Sequence, residues 1–293
     1  MGPDRDLDIG ARVGLSRREF LLATAGAVAW NTSARVARTE GAIGPPSRAA
    51  RLKLGIASYS FRRFTLDQAL GMARTLGIRY MTFKDVHVPR TDPPETTRSL
   101  RRTIEAAGIT IMGGGTITIP NDAAQIEQEF EYARNAGFPL IYVSPHPDAL
   151  DALERSAKAY DIKVAIHNHG PEDKRWPRPQ DAYMAIKSRD SRLGLCIDIG
   201  HTLRTGTDPV QACRDYHDRL YDLHVKDLAV PTDERSETEV GRGVIDFPAL
   251  FRTLIDVGYA GQVGLEYEIN PDNPLPGMIE SLAYMRGLLA ALG

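Results

Sequence analysis

The sequence is short of most features that would mark a specialised protein, and each shortage excludes something. Two of the 293 residues are cysteine, Cys196 and Cys213, too few for a disulfide framework or an all-thiolate metal cage. Cys196 lies inside the apolar run around Leu193–Ile197, where a small thiol packs as a hydrophobe. Charge of either sign is scarce in net terms: the formal balance is -2 with a pI near 6.4. That gives no basic face for nucleic-acid phosphates, so no nucleic-acid partner is expected. Long hydrophobic runs are lacking as well. The stretch Leu22–Trp30 is too brief for a bilayer span, which takes about 20 residues, so no stable membrane span is expected. A G-x-G-x-x-G phosphate turn is absent. The cluster Gly113–Gly115 lacks that spacing and suits a close backbone approach to a ligand or neighbouring chain. With 42% hydrophobic and 25% charged residues, what is left is an ordinary globular chain able to bury a large core.

The N-terminal segment reads as an address. Ser16-Arg17-Arg18-Glu19-Phe20-Leu21 precedes the weakly apolar Leu22–Trp30, and Ala27-Val28-Ala29 offers a small-residue cleavage site. Paired arginines in this setting resemble the twin-arginine export signal, which implies a signal peptide over residues 1–30 and a periplasmic or extracytoplasmic destination after folding. Residues 31–51, rich in Ala, Arg, Gly and Pro, read as a linker.

From Leu52 onward, short β-rich runs alternate with amphipathic helical segments, the pattern of successive βα units and a parallel sheet. The predicted strands are Lys53–Tyr59, Tyr80–Lys84, Thr110–Met112, Leu140–Ser144, Lys163–His167, Leu193–Asp198, Leu220–Lys226 and Gln262–Glu266. Between them, segments such as Leu66–Leu76 place apolar residues at three- and four-residue steps, and Gly77, Gly108, Gly137 and Gly258 read as helix stops. Eight such units over residues 52–293 predict an α/β fold of the (β/α)8 TIM-barrel type.

Barrel active sites form where strands end, so polar residues closing apolar strands are informative. Here they are frequent: Lys84-Asp85-Val86-His87, His167-Asn168-His169, Asp198-Ile199-Gly200-His201, His224-Val225-Lys226-Asp227 and Glu266-Tyr267-Glu268. Alternation along a strand pairs His167 with His169, His224 with Lys226, and Glu266 with Glu268. Imidazoles and carboxylates converging from several strands suit Mn²⁺, Co²⁺, Zn²⁺ or Mg²⁺. Asp246 reads as a helix N-cap.

These motifs, above all Cys196–His201, Leu223–Asp227, Gly241–Pro248 and Leu265–Glu268, resemble the sugar phosphate isomerase/epimerase (xylose isomerase-like) superfamily. That superfamily also includes inosose dehydratases and the endonuclease IV type of DNA repair enzyme. The resemblance implies a divalent-metal-dependent carbohydrate enzyme. By position, Asp198, His224 and Glu266 become metal ligands and His201 a substrate contact. The family's usual strand-four Glu is replaced by Ser144, and His169 is expected to complete the ligand set. The repair-enzyme branch would need a basic groove and a larger ligand set than this chain offers.

With one of the two carboxylate bases missing, symmetric epimerisation is disfavoured against one-base chemistry. Glu266 is the expected base for removing a proton beside a keto-sugar carbonyl. Lys84, His167, His169 or Lys226 are the expected proton donors, and His169, His201 and Lys226 the expected substrate contacts. Isomerisation with a histidine as second base, elimination or hydration on the same site, and sugar binding without turnover stay open. The partner expected is a small carbohydrate, with self-association into a homo-oligomer left open. Tyr59, Phe61 and Trp176 are candidates to stack on a sugar ring, with core packing the simpler role for each.

Overall fold

The computed structural model describes residues 51–293. The proposed signal segment and nearly all of the linker therefore lie outside the described residues. Each predicted run folds as a strand: β1 (Lys53–Ala57), β2 (Tyr80–Phe83), β3 (Thr110–Ile119), β4 (Leu140–Pro145), β5 (Lys163–His167), β6 (Leu193–Asp198), β7 (Leu220–Val225) and β8 (Gln262–Leu265). All eight pair in parallel, and β1 pairs with both β2 and β8, which closes the sheet into a barrel. This is the (β/α)8 TIM barrel.

Local chemistry sets where the helices begin and end. Helix α1 (Leu66–Thr75) opens on a Thr65/Gln68 capping box, which satisfies orphan N–H groups at its first turn. Helix α2 (Pro94–Ala106) starts with proline, pre-set for a helical first turn. Asp122 caps α3 (Ala123–Ala136), and α4 (Leu150–Tyr160) and α5 (Pro179–Ile186) follow in turn. The connection from β6 to β7 carries two short helices, α6 (Ile199–Arg204) and α7 (Pro209–Asp215). Asp246 caps α8 (Phe247–Asp256) through Ala249 N–H, as expected, and α9 (Leu275–Leu292) ends the chain. The four glycine helix stops all adopt left-handed φ, from +64° to +80°. Outward-facing strand residues such as Ile56, Met81, Val143 and Val225 form one core with the inner helix faces. Both cysteines are free and buried, Cys213 within this core and Cys196 in a separate cluster with Leu140, Tyr142 and Ala165.

Strand β3 differs from expectation. It extends to Ile119, seven residues beyond its predicted end at Met112, because the glycines at 113–115 continue the strand instead of leaving it. The register against β4 shifts between Gly114 and Ile117, and the close approach made there is to a neighbouring strand. A Cβ on Gly114 would strike the ring of Phe138, and one on Gly113 would strike the carbonyl oxygen of Leu140. Glycine is thus what lets β3 and β4 pack at this distance.

The consequence is testable by comparison with Gly71, on α1, around which a Cβ meets nothing within 4 Å. Gly114→Ala should lower stability by about 1–3 kcal/mol through overpacking. Gly71→Ala should raise it by up to about 1 kcal/mol, because a helical alanine loses less entropy than glycine. Urea unfolding midpoints measure both, and equal behaviour of the two variants would refute the close-packing argument.

Candidate functional site

At the carboxyl ends of β5 to β8, four buried side chains converge. One nitrogen or oxygen from each of His167, Asp198, His224 and Glu266 lies within 4.8 Å of the others. His167 Nε2 is 3.0 Å from His224 Nδ1, and His224 Nδ1 is 3.1 Å from Glu266 Oε2. His167 Nε2 is 3.8 Å from Asp198 Oδ2. A tetrahedral ion with bonds of about 2.0–2.2 Å needs its donors roughly 3.3–3.6 Å apart, and these spacings bracket that range. Asp198 Oδ2 is buried without a hydrogen-bond partner, with the Lys226 ammonium 3.3 Å away. Two imidazoles with two carboxylates fit a borderline divalent ion. The outer nitrogens, His167 Nδ1 and His224 Nε2, are also unpartnered, so the usual carboxylate or carbonyl support behind a ligating histidine is lacking.

The scaffold around this quartet fixes Asp198 most firmly. Asn168 accepts from Asp198 N–H and donates to Asp198 C=O, tying β5 to β6. Asp198 also begins α6, its Oδ1 accepting from His201 N–H at 2.8 Å. Asp227 does comparable work for the loop after β7. Its carboxylate accepts from the N–H groups of Leu228, Gly241, Gly243 and Ile245, so the Leu223–Asp227 and Gly241–Pro248 motifs form one structural unit.

Two ammonium groups flank the carboxylates. Lys84 Nζ is 3.4 Å from Glu266 Oε1. Lys226 Nζ is 3.3 Å from Asp198 Oδ2 and 3.4 Å from Glu266 Oε2, and it pairs with Glu268. Burial alone would push Lys226 down, but the surrounding carboxylates Asp198, Glu266 and Glu268 hold it well above its ordinary value. Burial would likewise raise Glu266, yet His224, Lys84 and Lys226 hold it well below the usual carboxylate range. Lys226 can reach this position because the residue beneath it is Gly200, where a Cβ would sit 2.5 Å from Lys226 Cγ.

Above the quartet opens a cavity of about 430 Å³ whose walls include Tyr59, Lys84, Thr116, His169 and His201. Asp198, His224 and Glu266 meet, as the resemblance implied. His169 does not join them: it is half-buried, its Nδ1 3.4 Å from Asp173 and its ring tilted at 47° to that of His167, with the centroids 4.5 Å apart. His167, expected as a proton donor, takes the fourth place instead, because β5 ends on it and the chain turns away afterwards. Burial and the neighbouring His201 keep His169 below its ordinary pKa. No residue of β4 enters the quartet; Ser144 is buried beside β3. Of the aromatic candidates, Phe61 and Trp176 are core residues, and Tyr59 alone lines the cavity.

Sequence reasoning missed Thr116, Arg204, Glu234 and Glu237. Arg204 carried a signal: it lies three residues after His201 on α6, hence on the same helix face, and its Nη1 is 3.1 Å from His201 Nδ1. Glu234 and Glu237 carried none, since their placement depends on how the Asp227-anchored loop docks.

A closed parallel barrel with nitrogen and oxygen donors gathered at its carboxyl-end mouth defines a class of TIM-barrel proteins whose sites are built from strand termini. Residues 70–288 match the model of the xylose isomerase-like TIM barrel family, and the chain belongs to that family. It is 26% identical over 156 residues to an inosose dehydratase of Clostridium beijerinckii, covering 47% of this chain and 52% of that protein. The chain thus spans about half the length of the curated relatives it matches. Among solved structures it resembles the IolI protein with a bound zinc atom, with a TM-score of 0.69, 15% identity and coverage of 82% of this chain and 98% of that one. It also resembles the 3-keto-D-glucoside 4-epimerase YcjR of E. coli, with a TM-score of 0.66, 20% identity and coverage of 80% of this chain and 99% of that one.

One titration follows from the geometry of the Asp227-anchored loop. Glu237 Oε1 accepts from Glu268 N–H at 2.9 Å, and burial raises its carboxyl from 4.5 to about 7. Between those values the folded protein holds a proton that the unfolded chain has released. Stability from this group is therefore complete below pH 4.5 and is lost as pH rises through about 7. Glu237→Gln keeps the acceptor and removes the proton site, so it should flatten that decline by on the order of 2 kcal/mol. Urea titrations at pH 5 and 7.5 measure it, and an unchanged slope would count against the assignment.

Proposed function

We propose that the chain is a divalent-metal-dependent carbohydrate enzyme of the isomerase, epimerase or lyase type, acting by proton abstraction beside the carbonyl of a keto-sugar. The observation that carries this reading is the buried quartet of His167, Asp198, His224 and Glu266 within one ion's reach. A divalent ion held there would polarise a carbonyl and an adjacent hydroxyl.

The chain's own residues supply the rest. Glu266, kept ionised by its cationic neighbours, is the carboxylate base. Lys226, locked among three carboxylates, is a fixed positive charge that offsets the negative charge developing on the substrate. Lys84 is less buried and stands on the cavity wall, 3.4 Å from the other oxygen of Glu266, where it can donate a proton to a leaving oxygen. In that elimination the C–H proton passes to Glu266, the β C–O bond breaks, and the leaving oxygen takes its proton from Lys84. The absence of a carboxylate from β4, with Ser144 in its place, favours this one-base route over symmetric epimerisation. His169, also on the cavity wall, is the histidine available as a second base for isomerisation. The Arg17-Arg18 pair ahead of Leu22–Trp30 supports export of the folded chain to the periplasm.

Metal analysis and proton exchange test this reading together. Wild-type protein should bind about one divalent ion per chain, and Asp198→Ala should lose it. Loaded wild type should exchange the proton beside the carbonyl of a keto-sugar in D₂O, read by NMR. Glu266→Gln should slow that exchange by roughly 10²-fold or more. Lys84→Met should keep the ion and lower elimination while exchange continues. Protein that holds the ion and binds sugar yet exchanges no proton would instead be a binding barrel, and protein that holds no ion would overturn the proposal.

A further inference from the structure

The cavity above the quartet is not closed on the side of α6. Next to it lies a second cavity of about 410 Å³. The two share His201, Glu234 and Glu268 in their linings, so they form one furrow partitioned by those three side chains. Ligand clefts for drug-sized molecules occupy roughly 300–1,000 Å³, so the first cavity suffices for a single sugar ring and the second offers room for another.

The lining of the second cavity states what it would hold. Three cations, Arg204, Lys226 and Arg235, face three carboxylates, Glu234, Glu237 and Glu268. This formal balance favours neither an anionic nor a cationic ligand, and it supplies many hydrogen-bond donors and acceptors. Ile269, half-buried, adds an apolar surface of the kind that lies against the C–H face of a sugar, and the buried Leu228 lies in the same lining. Arg204 is a fixed part of this wall: its side chain is only 4% exposed and its terminal nitrogens contact His201, Glu172 and Glu234. Glycine at position 200 leaves room for the Lys226 side chain that lines this cavity.

We propose that this second cavity is a subsite for a neutral, hydroxyl-rich substituent, a second sugar ring, attached to the keto-sugar held above the quartet. The substrate class is then a keto-glycoside or keto-disaccharide and not a free monosaccharide. The inference rests on the metal and keto-sugar reading given above, and the test separates the two.

Metal-loaded full-length protein is titrated calorimetrically with D-fructose and with its glucosides turanose, maltulose, leucrose and isomaltulose, which carry glucose on different oxygens. At least one disaccharide should bind tenfold or more tightly than fructose. Ile269→Trp should abolish that advantage while changing fructose affinity less than twofold. Arg235→Trp, on an exposed loop residue, should do the same and guards against a folding defect in the first variant. If fructose binds and no disaccharide binds better, or if the tryptophan variants weaken both ligands equally, the subsite is refuted and the keto-sugar reading stands. If the ion is held and neither kind of sugar binds, the keto-sugar reading itself fails and the subsite with it.

Discussion

The burial of Asp198 and Glu266 side by side at the barrel mouth is the constraint around which the site is arranged. Two ionised carboxylates taken out of water repel one another and lose hydration, a cost that persists unless cations are brought within a few ångströms. The chain provides them from both flanks, Lys84 against one oxygen of Glu266 and Lys226 between the other oxygen and Asp198. Many neighbouring features serve that arrangement. Gly200 clears the path of Lys226, Asn168 pins the backbone of Asp198 from two sides, and Asp227 organises the loop that carries Glu237 to the same region.

How much of this could be read before folding follows from where each residue stands. Strand positions were legible, since short apolar runs alternate eight times with helical patterns, and barrel closure then brings Asp198, His224 and Glu266 together from consecutive strands. The identity of the fourth member was not legible. His167 and His169 are two apart and alternate identically along an ideal strand, so only the point at which β5 stops decides between them, and strand ends are the least certain feature of any sequence pattern. The length of β3 was misjudged for a related reason: glycines that ordinarily end strands here continue one, because β4 approaches too closely for any side chain. Residues outside the strands were harder still. Arg204 could have been inferred from helical spacing, whereas Glu234 and Glu237 are placed by four backbone hydrogen bonds to Asp227, a tertiary event without local signature.

Beneath the quartet the barrel interior stays polar. Tyr142 donates to the carboxylate of Asp222, itself raised to about 7 by burial, and both polar atoms of Gln262 are buried without partners. Filling this layer with hydrocarbon would have been cheaper for stability. Its position directly below His224, whose ring lies 5.6 Å from that of Tyr142, makes it the bed on which that imidazole rests. The same layer contains Cys196, whose thiol burial pushes far up, so it packs without reacting.

Under the proposed function, Ser144 on β4 in place of a carboxylate and His167 as the fourth donor would change more than a ligand. Together they would remove one negative charge from the quartet, and the two lysines offset those that are left. Asp198, Glu266 and Glu268 against Lys84 and Lys226 leave a formal excess of one negative charge, which a divalent cation would reverse to one positive. A site of that sign holds a cation less tightly than a carboxylate-rich one, because each lysine repels the incoming ion in a medium of low effective dielectric. With an ion held, the resulting positive balance would attract negative charge as it formed on a deprotonated substrate, where water would otherwise have to reorganise. On that reading, affinity for the ion and stabilisation of the anion would pull in opposite directions, and this arrangement of charges would give up some of the first for the second.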